Sequence, residues 1–266
     1  MYIFDSLTHI SLGDNSLWDF KDANLKKLLR EMDESMVKRA MVCLIQSLEP
    51  GKSKGFGKVI QQNERLYGIS SINHGSSEKM RKEIYELKEN GYVGIKIHPR
   101  FQSLPWEGSW LAEMLNAASS VDMIVFYCTY PFTKASKMRG EPYNFLVDAI
   151  GKVPEAKVIL MHGGVTDVLK YSELVRHSEN LLLDLSFTLC KFKGSSIDFD
   201  LQFLFENFDQ KICIGSDFPD FSPCELTQRF NHLSKDLDTE KKARIAHSNI
   251  ERFIGIDPIN DEKRRS

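Results

Sequence analysis

The 266 residues are 42% hydrophobic and 27% charged, enough for one large core, and a single α/β barrel of about 250 residues needs no second domain. A formal net charge of −2 with no long basic block excludes a nucleic-acid footprint, and no apolar run approaches the roughly 20 residues of a membrane span. The five cysteines are odd in number, widely spaced and without a CxxC pair, which fits reduced thiols rather than a disulfide framework or a zinc ribbon. The start, MYIFD, lacks a basic segment followed by an apolar one, so a cytoplasmic protein is expected.

Short apolar, β-branched runs recur along the chain. They are YIFD (2–5), AMVCLI (40–45), LYGISSI (66–72), YVGIKI (92–97), DMIVFYC (122–128), AKVILM (156–161), NLLLDL (180–185) and KICIGS (211–216). Each has the length and texture of a buried parallel strand. Between them lie stretches with apolar residues at helical spacing: 24–39, 55–66, 76–90, 110–120, 144–150, 166–177 and 198–208, with two more around 223–235 and 239–253. About eight strand–helix repeats predict a single, distorted (β/α)₈ TIM barrel over residues 1–258, followed by a charged tail, 259–266. A doubly wound open sheet is the competitor. The first predicted strand, however, runs into THISLGDNS, with no GxGxxG turn.

In such a barrel the chemistry sits at the C-terminal ends of the strands. Alternation places Asp5, Leu7 and His9 on one face of the first strand. The fourth strand ends GIKIHPR, where Lys96 and His98 share a face and Arg100 follows; three cationic groups at a barrel mouth suit an anionic substrate. A snorkelling lysine and a surface arginine are the bland alternative. The sixth strand ends VILMHGG, so His162 leaves the barrel just before two glycines that let the chain turn sharply. The eighth ends CIGSDFP, and an acid there needs a metal, a cation or a catalytic task; Asp220 and Ser222 are better placed to cap the next helix. On the fifth, Tyr127 or Cys128 faces the interior, and one residue of register decides which. Cys128 is a candidate nucleophile only if a histidine stands against it, and no sequence feature places one.

FDSLTHI, GIKIHPRFQ, VILMHGG, ICIGSDFP and the closing SNIERFIGI, in this order, resemble the amidohydrolase superfamily, in its amidohydrolase-2 branch of decarboxylase- and lactonase-like proteins. The resemblance implies a distorted barrel and, usually, a divalent metal. Its ligands there are two histidines on strand one, a histidine ending strand five and an aspartate ending strand eight, while a strand-six histidine polarises the substrate or orients water. This chain keeps His9, His162 and Asp217. It departs at Leu7, and again at Tyr127 or Cys128, so two of the expected ligands are missing. Some members of the branch are similar in working without a metal.

The expected function is hydrolysis of an ester, lactone or amide bond in a small anionic molecule, with no cofactor. Asp217 is expected as general base, His162 and His9 as catalytic partners, and Lys96, His98, Arg100 and Tyr127 as substrate-binding groups. One alternative is a hydrolase or decarboxylase with one Zn or Mn ion on His9, Asp217 and an altered ligand set. Another is an inactive barrel that binds a metabolite or a protein. No nucleic-acid or membrane partner is expected; a homodimer is left open, since the sequence does not give the oligomeric state.

Overall fold

The computed structural model describes residues 1–11, 23–44, 55–72, 76–99, 108–130 and 142–259. Eight strands among them form one parallel sheet in sequential order: β1 (Ile3–Ile10), β2 (Val37–Leu44), β3 (Leu66–Ser71), β4 (Gly94–Ile97), β5 (Ile124–Cys128), β6 (Val158–Met161), β7 (Leu181–Asp184) and β8 (Ile212–Cys213). Helices follow each strand, from α1 (Leu25–Asp33), α2 (Phe56–Gln61), α3 (Ser77–Glu89), α4 (Gly108–Ser119) and α5 (Pro142–Lys152) to α6 (Val168–Arg176), α7 (Thr188–Lys191), α8 (Ile197–Asn207), α9 (Pro223–Leu233), α10 (Thr239–Ala243) and α11 (Asn249–Ile254). This is the TIM-barrel fold. No helix among the described residues is long and apolar enough to cross a membrane.

The near-continuous apolar strands divide by alternation into two cores. Phe4, Leu7, Met41, Cys43, Ile69, Phe126, Ile159, Met161, Leu182 and Cys213 fill the barrel. Their neighbours, such as Ile95, Ile97, Val125, Tyr127 and Leu160, pack outward against the helices. The amphipathic helices supply the other half of that outer layer, as Met80, Ile84 and Leu87 do on α3. Most helices fall within two or three residues of the sequence reading. The stretch 24–39 does not: α1 ends at Asp33, where the Glu34 N–H closes on Arg30 O, and Val37 begins β2. Met36 and Val37 keep helical spacing, but the Ile3 N–H donates to Met36 O, which fixes this segment in the sheet.

The barrel closes where β8 meets β1. With only Ile212 and Cys213 in β8, the seam is made by the chain beyond it. Ser6 N donates to Ile214 O, Asp217 N to Leu7 O, and His9 N to Phe218 O, at 3.0, 3.0 and 2.7 Å. β1 has a register shift between Asp5 and Thr8, so the expected strict alternation of Asp5, Leu7 and His9 is broken. Leu7 still enters the barrel, while Asp5 accepts hydrogen bonds from Ser216 N and Oγ on the β8 side. At the opposite end, buried Glu251 of α11 accepts from Tyr2 Oη and Arg39 Nη1, each at 2.6 Å, and lies 3.0 Å from His247 Nδ1. Burial opposes its ionisation, but these partners outweigh it and hold the carboxyl below the usual range.

Gly215 marks how tight the seam is: a Cβ there would lie 2.6 Å from Ser6 Oγ and 2.9 Å from Leu7 N. Gly151, on α5, has open space around it. Gly215→Ala is therefore expected to cost about 1–3 kcal/mol, while Gly151→Ala gains roughly 0.5–1 kcal/mol. Denaturant unfolding of the two variants checks this, and a Gly215→Ala protein as stable as the wild type would mean the seam is looser than described.

Candidate active site

The register sets which side chains reach the barrel mouth. Lys96 is paired with Phe126, an interior residue, and lies between outward-facing Ile95 and Ile97. It therefore points inward, 3% exposed, and His98 follows on the same side. Cys128 keeps step with Ile124 and Phe126 and also faces the interior. His9, His162 and Asp217 complete the ring from the ends of β1, β6 and β8.

His9 is held between two groups of opposite charge. Its Nε2 lies 2.5 Å from Lys96 Nζ, and its Nδ1 lies 3.2 Å from Asp217 Oδ1. The second contact has ion-pair length but is bent away from a straight hydrogen bond, and among the described residues Asp217 Oδ1 has no better-aligned donor. A charged lysine can only donate. Nε2 is thus the acceptor, and the ring proton sits on Nδ1, toward Asp217. Burial and the positive charge of Lys96 hold His9 below the ordinary histidine range, against the pull of Asp217. Asp217 goes the other way. Burial alone would raise it, but His162, His9 and Lys96 together hold it well below the usual carboxylate range.

A second chain of contacts orients His162. Its Nδ1 lies 3.2 Å from both Ser186 O and Ser186 Oγ. Ser186 N in turn donates to Asp184, whose other oxygen accepts from Ser6 Oγ at 2.9 Å. Cys128, opposite Met161 in the β5–β6 register, is buried near this corner, and there burial opposes its ionisation while His98 and His162 outweigh it and hold the thiol well below its usual range. Burial opposes charge on His162, but Cys128 and Asp217 outweigh it and raise its pKa. The backbone at this corner is unusual: His162, Gly163, Gly164 and Val165 all have φ between 58° and 80°. A Cβ on Gly164 would collide with the Tyr171 ring, so the turn that presents His162 requires glycine there. Asp217 also sits at positive φ, 58°. Left-handed backbone at non-glycine residues is costly and concentrates at functional sites.

The sequence-selected residues do not all converge. His9, Lys96, Asp217, His98 and His162 share the mouth. Tyr127 does not: it packs outward, buried in the helix layer beside Tyr171, and burial raises its pKa. Its assignment as a substrate contact is corrected here, because the alternation of β5 gives the interior position to Cys128. Arg100 lies outside the described residues. The roles of Ser6 and Ser186 had no motif to announce them.

A divalent metal needs about three converging protein donors. Among the described residues no group of three or more His, Cys, Asp or Glu side chains is placed to hold one. Leu7 offers no lone pair, and Lys96 Nζ faces the His9 nitrogen that points away from Asp217. A donor set with a cation already against its imidazole does not fit a metal ion.

Two opposite shifts test the His9 arrangement. Lys96→Met is expected to raise the His9 pKa and Asp217→Asn to lower it, read by NMR titration of ring-labelled histidine. A His9 pKa unmoved by both substitutions would mean that neither neighbour is in contact with it.

The amidohydrolase family model matches residues 58–256. No curated protein matches the chain. Among solved structures, an uncharacterised TIM-barrel protein from Bordetella bronchiseptica superposes with a TM-score of 0.77 at 14% identity, covering 96% of this chain and 99% of that one. A probable 2-pyrone-4,6-dicarboxylic acid hydrolase from Acinetobacter baumannii, solved with citric acid bound, gives 0.67 at 18% identity, covering 96% and 100%. A 5-carboxyvanillate decarboxylase from Novosphingobium aromaticivorans, a D314N mutant solved with manganese and a nitrobenzoic acid bound, gives 0.65 at 12% identity, covering 96% and 97%. At these identities the superpositions speak for the fold, and the family match extends over most of the sequence: the chain belongs to the amidohydrolase family.

Proposed function

We propose that the chain hydrolyses an ester, lactone or amide bond in a small anionic molecule without a resident metal, with Asp217 as general base. The observation that carries this reading is Asp217 at the barrel mouth, its Oδ1 3.2 Å from His9 Nδ1, with His162, His9 and Lys96 holding its carboxyl below the usual range against burial. Asp217 takes a proton from the attacking water. His162, raised toward its charged form, stabilises the oxyanion that develops on the carbonyl. His9, fixed in one tautomer, positions Asp217 and passes on the influence of Lys96. Lys96 and His98, with Arg100 two residues further along the sequence, supply positive charge for the substrate's carboxylate. The Acinetobacter neighbour, a dicarboxylic acid hydrolase by name with citric acid bound, supports a polycarboxylate-like substrate.

A second reading, a metal-dependent hydrolase or decarboxylase, draws support from the manganese in the Novosphingobium decarboxylase. It requires that chelation remove activity and that added metal restore it. An inactive barrel would bind such acids and turn none over.

The test is turnover of a panel of lactones and esters of dicarboxylic acids. Asp217→Asn is expected to lower kcat by about 10²–10⁴-fold without loss of the folded state by circular dichroism. A folded Asp217→Asn protein with wild-type kcat would remove Asp217 from the role of base.

A further inference from the structure

Phe187 stands in backbone that a bulky side chain avoids. Its φ and ψ are 62° and −60°, and the Thr188 N–H donates back across it to Ser186 O at 2.6 Å. Together these make the rare, strained form of the three-residue γ-turn. Glycine would enter this turn without a Cβ penalty, so a phenylalanine here calls for a use of its ring.

The turn closes on His162 from three sides. Ser186 O and Oγ each lie 3.2 Å from Nδ1. Thr188 Oγ1 donates to the His162 carbonyl oxygen at 2.7 Å. The Phe187 ring stands edge-on to the imidazole, with 5.9 Å between centroids and 73° between planes. Tyr130 and Phe221 flank Phe187 in turn, at 5.4 and 5.9 Å, and Lys191 Nζ lies 6.0 Å from its centroid. Behind the turn, Asp184 accepts from Ser186 N and from Ser6 Oγ, which anchors Ser186 to β1. A carbonyl oxygen can only accept. Nδ1 therefore keeps its proton toward Ser186 O in either charge state, and Nε2 is the nitrogen that gains and loses one.

We propose that the γ-turn Ser186–Phe187–Thr188 is the positioning element of His162. It holds the neutral ring as the Nδ1–H tautomer and leaves Nε2 as the working nitrogen, with Phe187 and Thr188 as positioning residues. The proposal rests on the hydrolase reading for the task of His162 and deepens it. In that reading the charged ring donates from Nε2 to the oxyanion while Nδ1–H stays on Ser186 O. The imidazole thus meets the developing charge already aligned.

The first test needs no substrate. NMR of ring-labelled histidine is read at alkaline pH, where His162 is neutral, and its signal is identified by loss in His162→Asn. The wild type is expected to show one tautomer, with the proton on Nδ1. A proton on Nε2, or an average of the two forms, overturns the proposal. Phe187→Gly and Thr188→Val, each confirmed as folded by circular dichroism, are expected to shift the ring toward the average, and Phe187→Tyr to keep the wild-type signal. Where the glycine variant does not fold, Phe187→Leu takes its place. A wild-type tautomer in both folded variants overturns the positioning role. For an ester that the protein turns over, Phe187→Gly is expected to lower kcat by about 10–100-fold with KM little changed. A loss confined to KM would make Phe187 a binding wall and overturn the proposal. The two readings fail separately. An Nδ1–H tautomer in a protein that turns over no ester removes hydrolysis and leaves the turn's role, whereas turnover with the proton on Nε2 removes the turn's role and leaves hydrolysis.

Discussion

Lys96 Nζ, seated against His9 Nε2, sets the character of the barrel mouth. Asp5 within β1, Asp184 at the end of β7 and Asp217 beyond β8 are all buried, and carboxylates taken out of water resist ionisation. Their environments separate them. Burial raises Asp5 to about 7 despite its hydrogen bonds from Ser216, and Asp184 is raised too. Asp217 alone is pulled down, because it faces His162, His9 and Lys96 together. One carboxylate is thereby kept charged while its neighbours lean toward the neutral form, a division of roles familiar from acid–base sites. The same lysine fixes His9 as an acceptor at Nε2 and so fixes which nitrogen faces Asp217.

The rest of the architecture serves that placement. The β1–β8 seam brings Asp217 beside His9, since Asp217 N bonds Leu7 O and His9 N bonds Phe218 O across it. The seam tolerates no side chain at Gly215. The strained turn His162–Val165 sets His162 against Ser186, and Thr129 supports that turn by accepting from Gly164 N. Glu251, at the far end of the barrel, ties α11 to Tyr2, just before β1, and to Arg39 of β2, away from the chemistry. Removing one partner of such a buried ionic cluster typically costs about 3–5 kcal/mol, so that end carries stability and the mouth carries function.

Much of this was legible in the sequence. Continuous apolar runs at regular spacing gave the barrel, because parallel strands buried on both faces leave no alternation of polarity to misread. The strand-end rule then selected His9, Lys96, His162 and Asp217 before any contact was known. What remained hidden depended on register and on distance along the chain. Tyr127 and Cys128 are adjacent, and only the pairing of β5 with β4 and β6 decides which enters the barrel. The bulge in β1 that turns Asp5 to Ser216 has no composition signature. The contact of Ser6 with Asp184 joins residues 178 positions apart, and a separation of that length has no motif. The helix read through 24–39 failed because Met36 and Val37 satisfy a helical period while their backbone belongs to the sheet.

The claim on which the account depends is that the site's fixed positive charge is Lys96 and not a metal ion. The most direct measurement is elemental mass spectrometry of the purified protein, before and after incubation with zinc and manganese followed by desalting, for the wild type and for Lys96→Ala. The account predicts no stoichiometric metal in the wild type under either condition. One tightly held ion per wild-type chain, lost on chelation together with activity, would contradict it and make His9 and Asp217 metal ligands after all.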